Sequence, residues 1–210
     1  MKKIILGLIA VIGVAIAIYT ATERTDIPVN ENYEKEIQAH RKDLDEDFRG
    51  EGSPLREEER NTFEGLSYFP INPDFKVKAE LEWVPYQQRL DIPTTQGKMR
   101  TYLKRAIAHI ELMGGHYHLS LLQDEFPPKG MENTYTLAFT DKTSGHTTYG
   151  GGRYLNVEVS GGQREVVIDF NKAYNPYCAY NPDYDCVIPL KDNHIGVAVK
   201  AGEKAYEGKK

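Results

Sequence analysis

The chain has 210 residues, of which 26 are basic and 31 acidic, giving a formal net charge of −5, and 40% of its side chains are hydrophobic and 27% charged. That length supports one domain with a sizeable core plus an appendage, and the composition excludes disordered, collagen-like and disulfide-scaffold chains. A weakly acidic balance without a basic stripe also argues against nucleic acid as a partner.

Lys2 and Lys3 precede an uncharged run from Ile4 to Ala21, and Glu23, Arg24 and Asp26 follow it. As a helix this run spans about 27 Å, just short of a hydrocarbon core of about 30 Å. Residues 1–22 therefore read as a signal anchor or signal peptide, with the membrane as partner through residues 4–21. The positive-inside rule keeps the lysines cytoplasmic and sends the remainder to the periplasmic or cell-surface side. Cleavage after the small-residue stretch Ala15-Ile16-Ala17 is the competing expectation and would leave a secreted domain. Both readings export it.

Residues 23–52 form a charged helical stalk. From Glu23 to Arg60 the chain holds thirteen acidic and seven basic residues, so most of the net charge belongs here. Tyr33, Ile37, His40, Leu44 and Phe48 recur at helical steps and make one apolar stripe, which predicts docking on the body. Gly50 and Gly52 end that helix. Ser53-Pro54 then predicts the N-cap and first residue of a second helix, with Glu57, Glu58 and Glu59 in its early turns.

Residues 53–210 read as a single β-rich domain. Val77, Ala79, Leu81 and Trp83 alternate with charged residues, and TYTLAF (134–139), RYLNVEV (153–159), EVVIDF (165–170) and IGVAV (195–199) are short runs bounded by Gly, Pro, Asn or Asp. Two further strands are expected between Tyr102 and Gln123, broken at Gly114-Gly115. Eight or so short strands with close turns predict an antiparallel sandwich or barrel, with the helices at the N-terminus. Pro93 and Pro127-Pro128 belong outside central strands.

The densest polar cluster is DKTSGHTTYGGGRY, Asp141 to Tyr154. Its three consecutive glycines, Gly150 to Gly152, resemble a phosphate loop, but such a loop requires a helix afterwards, and the parity of Arg153, Leu155, Val157 and Val159 predicts a strand. What remains is a loop needing positive φ or close approach to a strand or a ligand. Ser144 lacks the Gly-x-Ser-x-Gly setting of a nucleophile elbow. His116 and His118 share one strand face, but Ser120 and Leu122 follow on that face, so they are read as solvent-facing histidines. Asp169-Phe170-Asn171 leads into a short duplication, Ala173-Tyr174-Asn175-Pro176 and Ala179-Tyr180-Asn181-Pro182. Its tyrosines and asparagines suit either packing of an irregular excursion or a sugar, peptide or aromatic ligand.

Cys178 and Cys186 are the only cysteines. In an oxidising compartment they are expected to form a disulfide closing a short loop, worth about 2–3 kcal/mol. Their spacing fits no Cys-x₂-Cys template, so no metal is expected, and no cofactor motif occurs.

The strings FTDKTSGHTTYGGGRYL (139–155), DFNKAYNPYCAYNP (169–182) and AGEK (201–204), with Ser53-Pro54-Leu55 and Phe63-Glu64-Gly65-Leu66, resemble the signature of a bacterial family known as domain of unknown function 1684. The likeness spans roughly residues 40–204. Cys186-Val187-Ile188-Pro189-Leu190 departs from the family's Cys-Pro-Leu-Pro-Pro. The resemblance implies one domain and brings no activity, cofactor or catalytic residue.

Two functions remain open. One is an exported, membrane-tethered binding or envelope-associated module for a small-molecule or envelope ligand. Its binding candidates are Asp141, Thr143, Ser144, Tyr149, Arg153, Asp169, Asn171, Asn175 and Glu203. The alternative is a hydrolase-like enzyme using Asp141, Asp169 or Glu203 as general base with Arg153 stabilising negative charge. Only the second requires Asp141, Arg153, Asp169 and Glu203 to surround one concavity.

Overall fold

The computed structural model describes residues 31–208, apart from the side chains of Glu31 and Gln87. The apolar run 4–21 lies outside the described residues. Among the described residues no helix is long and apolar enough to cross a membrane.

Helix α1 runs from Glu31 to Arg49. Its stripe does what the spacing dictates, since Tyr33, Ile37 and Phe48 are buried against the body. The second helix, α2, is only Glu57–Arg60, and Ser53 is not its cap. Ser53 Oγ instead accepts the Leu55 N–H at 3.1 Å. That bend turns buried Leu55 into a cluster with Phe48 and Tyr180 before any helix begins. Burying a leucine outweighs starting a helix one turn earlier.

The body is antiparallel throughout, apart from one short parallel pairing. Its strands are β1 (Lys76–Pro93), β2 (Met99–Leu112), β3 (Gly115–Asp124), β4 (Thr134–Asp141), β5 (Arg153–Glu158), β6 (Glu165–Asp169) and β7 (His194–Ile195). They form a sheet in the order β5-β4-β3-β2-β1-β6, with β7 added parallel to β4. The expected mainly-β class holds, and of the two architectures anticipated the chain takes a nearly closed barrel. β2 and β3 break at Gly114, as the double glycine predicts. β1 is far longer than its alternating stretch, because a register shift between Trp83 and Gln88 lets it bend and continue. Pro93 is its last residue, so it ends the ladder. The run 195–199 is a strand only at its first residue; Val199 and Ala201 are buried beyond the strand.

Alternate residues of every long strand point inward. Ala106, Ala108, Ile110 and Leu112 of β2 meet Leu119 and Leu121 of β3, Leu137 and Phe139 of β4, and Phe170 beyond β6 in one core. The sheet does not close. β5 and β6 are its two ends, and no strand among the described residues pairs their outer edges, a single Tyr154–Tyr174 bridge apart.

Candidate functional site

Arg153 opens β5 immediately after Gly152, whose φ is +88°. A side chain at residue 152 would put its Cβ 2.6 Å from the Phe139 carbonyl. The last glycine of the triplet thus serves close approach to a neighbouring strand. The strand then sends Arg153 into the core, where it is 0% exposed. Its Nη2 donates to Asp141 Oδ2 at 2.9 Å and to the Val199 carbonyl at 2.8 Å. Its Nη1 donates to the carbonyls of Ala201 and Glu203. The other Asp141 oxygen accepts the backbone N–H of Thr143 at 2.7 Å and of Val199 at 3.1 Å. This buried ion pair therefore fastens the last residues of the domain to β4 and β5, and neither partner presents a charge to solvent.

Thr143 and Ser144 shape the same loop. Thr143 Oγ1 lies 2.8 Å from Thr148 Oγ1, and Ser144 Oγ accepts the Asp141 N–H at 3.1 Å. Glu203, 1% exposed, is a second fastening. Its Oε2 accepts the Asn175 N–H at 2.9 Å, and its Oε1 accepts the Tyr180 hydroxyl. Asn175 Nδ2 donates to the Lys204 carbonyl at 2.7 Å. Burial pushes the Glu203 carboxyl up to about 7, against the lowering effect of those donors. The duplicated tyrosine–asparagine segment is thus packed onto the C-terminal strap.

Asp169 and Asn171 act on α1. The Tyr33 hydroxyl donates to Asp169 Oδ2 at 2.9 Å and accepts from Asn171 Nδ2 at 2.9 Å. Asn171 Nδ2 also donates to the Asn72 carbonyl at 2.8 Å. Burial, followed by the neighbouring Asp169 charge, raises the Tyr33 phenol far above its ordinary value. The helix is fixed to the body by its apolar stripe, by this buried polar joint and by more exposed contacts such as the Leu66 N–H to Asp45 Oδ1 at 2.8 Å.

Tyr149 belongs to a third group. Its hydroxyl donates to Cys178 Sγ at 3.8 Å, and the Cys178 N–H donates to Cys186 Sγ at 3.2 Å. The two cysteines are free thiols in this structure, not the disulfide expected from the sequence. The hydrogen bond from Cys186 lowers the Cys178 thiol to about 7, and the same bond, then burial, raises Cys186.

A concavity lies apart from most of these groups. A groove of about 520 Å³ runs between the outer edges of β5 and β6, and of the nine candidates only Asp169 lines it. Its apolar floor is Leu155, Val157 and Ile168. Lys76, Lys172, Glu36 and Glu158 stand around it, with Lys172 Nζ 2.6 Å from Glu36 Oε1 at the helix end. The backbone of both walls faces inward. Tyr154 exchanges both its bonds with Tyr174, so the alternation of β5 turns the N–H and C=O of Asn156 away from β4. Leu81 donates to the Arg164 carbonyl, so Val167 and Asp169 of β6 likewise turn theirs away from β1. Sequence inspection missed this groove. EVVIDF and RYLNVEV read as strands, but nothing in their pattern marks them as the two sheet ends.

A solved structure matches most of the chain: an uncharacterised protein of Haloarcula marismortui, determined by solution NMR, is 35% identical, with a TM-score of 0.66 over 83% of this chain and 95% of that one. It comes from a halophile, so the likeness carries no statement of a bacterial source. No curated protein matches the chain. The family model described as "Protein of unknown function (DUF1684)" matches residues 61–204, which covers the barrel together with both buried fastenings, and the chain belongs to that family.

Proposed function

We propose that this chain is an exported binding module that takes up an extended polypeptide segment as an added strand between β5 and β6. The observation that carries the proposal is the groove itself, where two strand edges, unpaired beyond the Tyr154–Tyr174 bridge, face each other across an apolar floor. An inserted strand would find backbone donors and acceptors on both sides, which is how sheet edges recognise peptides largely irrespective of sequence. The five residues of β6 run about 17 Å, room for a short extended peptide. Lys76, Lys172, Glu36 and Glu158 at the rim supply what selectivity there is.

Export and tethering rest on the uncharged run 4–21 behind Lys2 and Lys3. In that compartment the adjacent Cys178 and Cys186 thiols would be oxidised to a disulfide. A hydrolase is less well supported, because Asp141, Arg153 and Glu203 are buried with their polar atoms committed mainly to backbone partners.

The test uses an alternating valine–lysine octapeptide and the same peptide N-methylated at every second amide, titrated into the full chain in detergent. Strand addition predicts slowed hydrogen exchange at the Asn156 and Val167 amides with the first peptide and none with the second. Equal effects of the two peptides, or exchange unchanged at both amides, would sink it. Protease accessibility of the C-terminus in intact cells against spheroplasts tests the placement, and a protected C-terminus in spheroplasts refutes export.

A further inference from the structure

The outer face of β1, β2 and β3 carries a cluster that neither the groove nor the buried fastenings use. In the strand ladders Glu80 lies opposite His109, and His109 lies opposite His118. Ala108, Ile110, Leu112 and Leu119 point to the core, so strand alternation leaves His109, Glu111, His116 and His118 on the outer side. His109 Nε2 is 3.0 Å from Glu82 Oε2, and His109 Nδ1 is 2.6 Å from His118 Nδ1.

These two distances put one proton between His109 and Glu82 and another between the two Nδ1 atoms. An ionised carboxylate only accepts, so the bond to Glu82 places a proton on His109 Nε2, and a neutral His109 then keeps a lone pair on Nδ1. In that neutral form His118 Nδ1 supplies the proton between the two rings. A histidine with a carboxylate behind one nitrogen and a lone pair at the other has the outer-shell arrangement of a metal-bound imidazole. We propose that His109 and His118 form a two-nitrogen chelate for a divalent d-block cation, with Glu82 as the residue that orients His109.

The cation takes the place of the shared proton, which leaves His118 Nδ1 for its other nitrogen or for solvent. Two imidazole nitrogens on a tetrahedral zinc, each at about 2.0–2.1 Å, stand about 3.3 Å apart. Opening the present 2.6 Å gap to that value asks both rings to turn their Nδ1 lone pairs off the line between them toward one point, and both are accessible to solvent: the His109 side chain is 34% exposed and His118 lies on the surface. Glu80, Glu82 and Glu111 add negative charge around the pair and raise the local cation concentration. Among the described residues no group of three or more histidine, cysteine or acidic side chains is disposed to hold a metal. Two protein donors with water completing the shell therefore make an exchangeable site, unlike a closed structural zinc site.

Calorimetric titration of zinc chloride into the full chain in detergent tests the assignment. One zinc per chain is expected, weakened at least ten-fold by His109→Gln and by His118→Gln and about ten-fold by Glu82→Gln. His116→Gln and the double variant Cys178→Ser with Cys186→Ser are expected to bind as the parent does. All are surface or thiol substitutions outside the barrel core, and unchanged circular dichroism verifies folding. Absence of binding overturns the proposal, as does binding that survives both histidine variants or is lost with the thiols or with His116.

Discussion

Arg153 and Asp141 face each other across the β4–β5 ladder as a fully buried pair, with Nη2 and Oδ2 2.9 Å apart. Removing either charge strands the other in the core. Asp141→Asn is expected to lower unfolding free energy by about 3–5 kcal/mol, read as the urea midpoint at constant slope. The double variant Asp141→Leu with Arg153→Met is expected to lose less than the sum of the two single changes, because no uncompensated charge remains.

Glu203 makes stability depend on pH with a definite sign. Its folded carboxyl titrates at about 7 against an ordinary 4.5, so the folded state holds the proton more tightly. That contribution is complete below the ordinary value and is lost as pH rises to about 7, amounting to about 3 kcal/mol. Glu36, lowered chiefly by its hydrogen bond from Lys172, acts in the opposite direction. The difference between parent and Glu203→Gln isolates the first effect. Chemical denaturation at a series of pH values is expected to show the parent losing stability relative to the variant between pH 4.5 and 7, and parallel curves would refute it.

Tyr33→Phe removes the hydroxyl that links Asp169 and Asn171 to α1 while keeping the ring in place. A loss of about 1–3 kcal/mol is expected, because the partners stay partly buried without their bond. Hydrogen exchange is expected to accelerate in α1 before any strand, because the joint holds the helix and not the sheet.

Gly202 has φ +73°, and a Cβ there would lie 2.6 Å from the carbonyls of both Ala173 and Phe170. Gly202→Ala is therefore expected to cost at least about 2 kcal/mol. Gly52→Ala, where a Cβ meets nothing within 4 Å, is expected to be near neutral in the same thermal-unfolding assay.

The thiols give a chemical prediction. Treatment with a mild disulfide reagent is expected to join Cys178 to Cys186 and lower the intact mass by that of two hydrogens, since the Cys178 N–H already contacts the Cys186 sulfur at 3.2 Å. Joining is expected to raise stability by about 2–3 kcal/mol. Two mixed adducts without a bridge would show that the sulfurs do not meet.

Much of the fold is written in local pattern. The helical stripe of α1, the paired strands around Gly114-Gly115 and the strand after the glycine triplet all follow from periodicities of 3.6 and 2 and from turn chemistry. The motif residues were also visible as a group, but their purpose was not. Arg153 and Asp141 are 12 positions apart in sequence, whereas their other partners, Val199 and Ala201, lie more than 40 beyond Arg153. No window on the chain contains both halves. The same holds for Tyr33 with Asp169, and for the opposition of His109 and His118, which depends on the β2–β3 register. Ser53 misleads for the opposite reason, because a local capping signal yields to the burial of Leu55.

The guanidinium of Arg153 donates to three carbonyls from residues 199–203, more than 40 positions downstream of it. A nascent chain still lacking them would have to enclose a cation with a single counter-ion and most of its donors unanswered. Completion of the barrel is thereby tied to the arrival of that downstream segment.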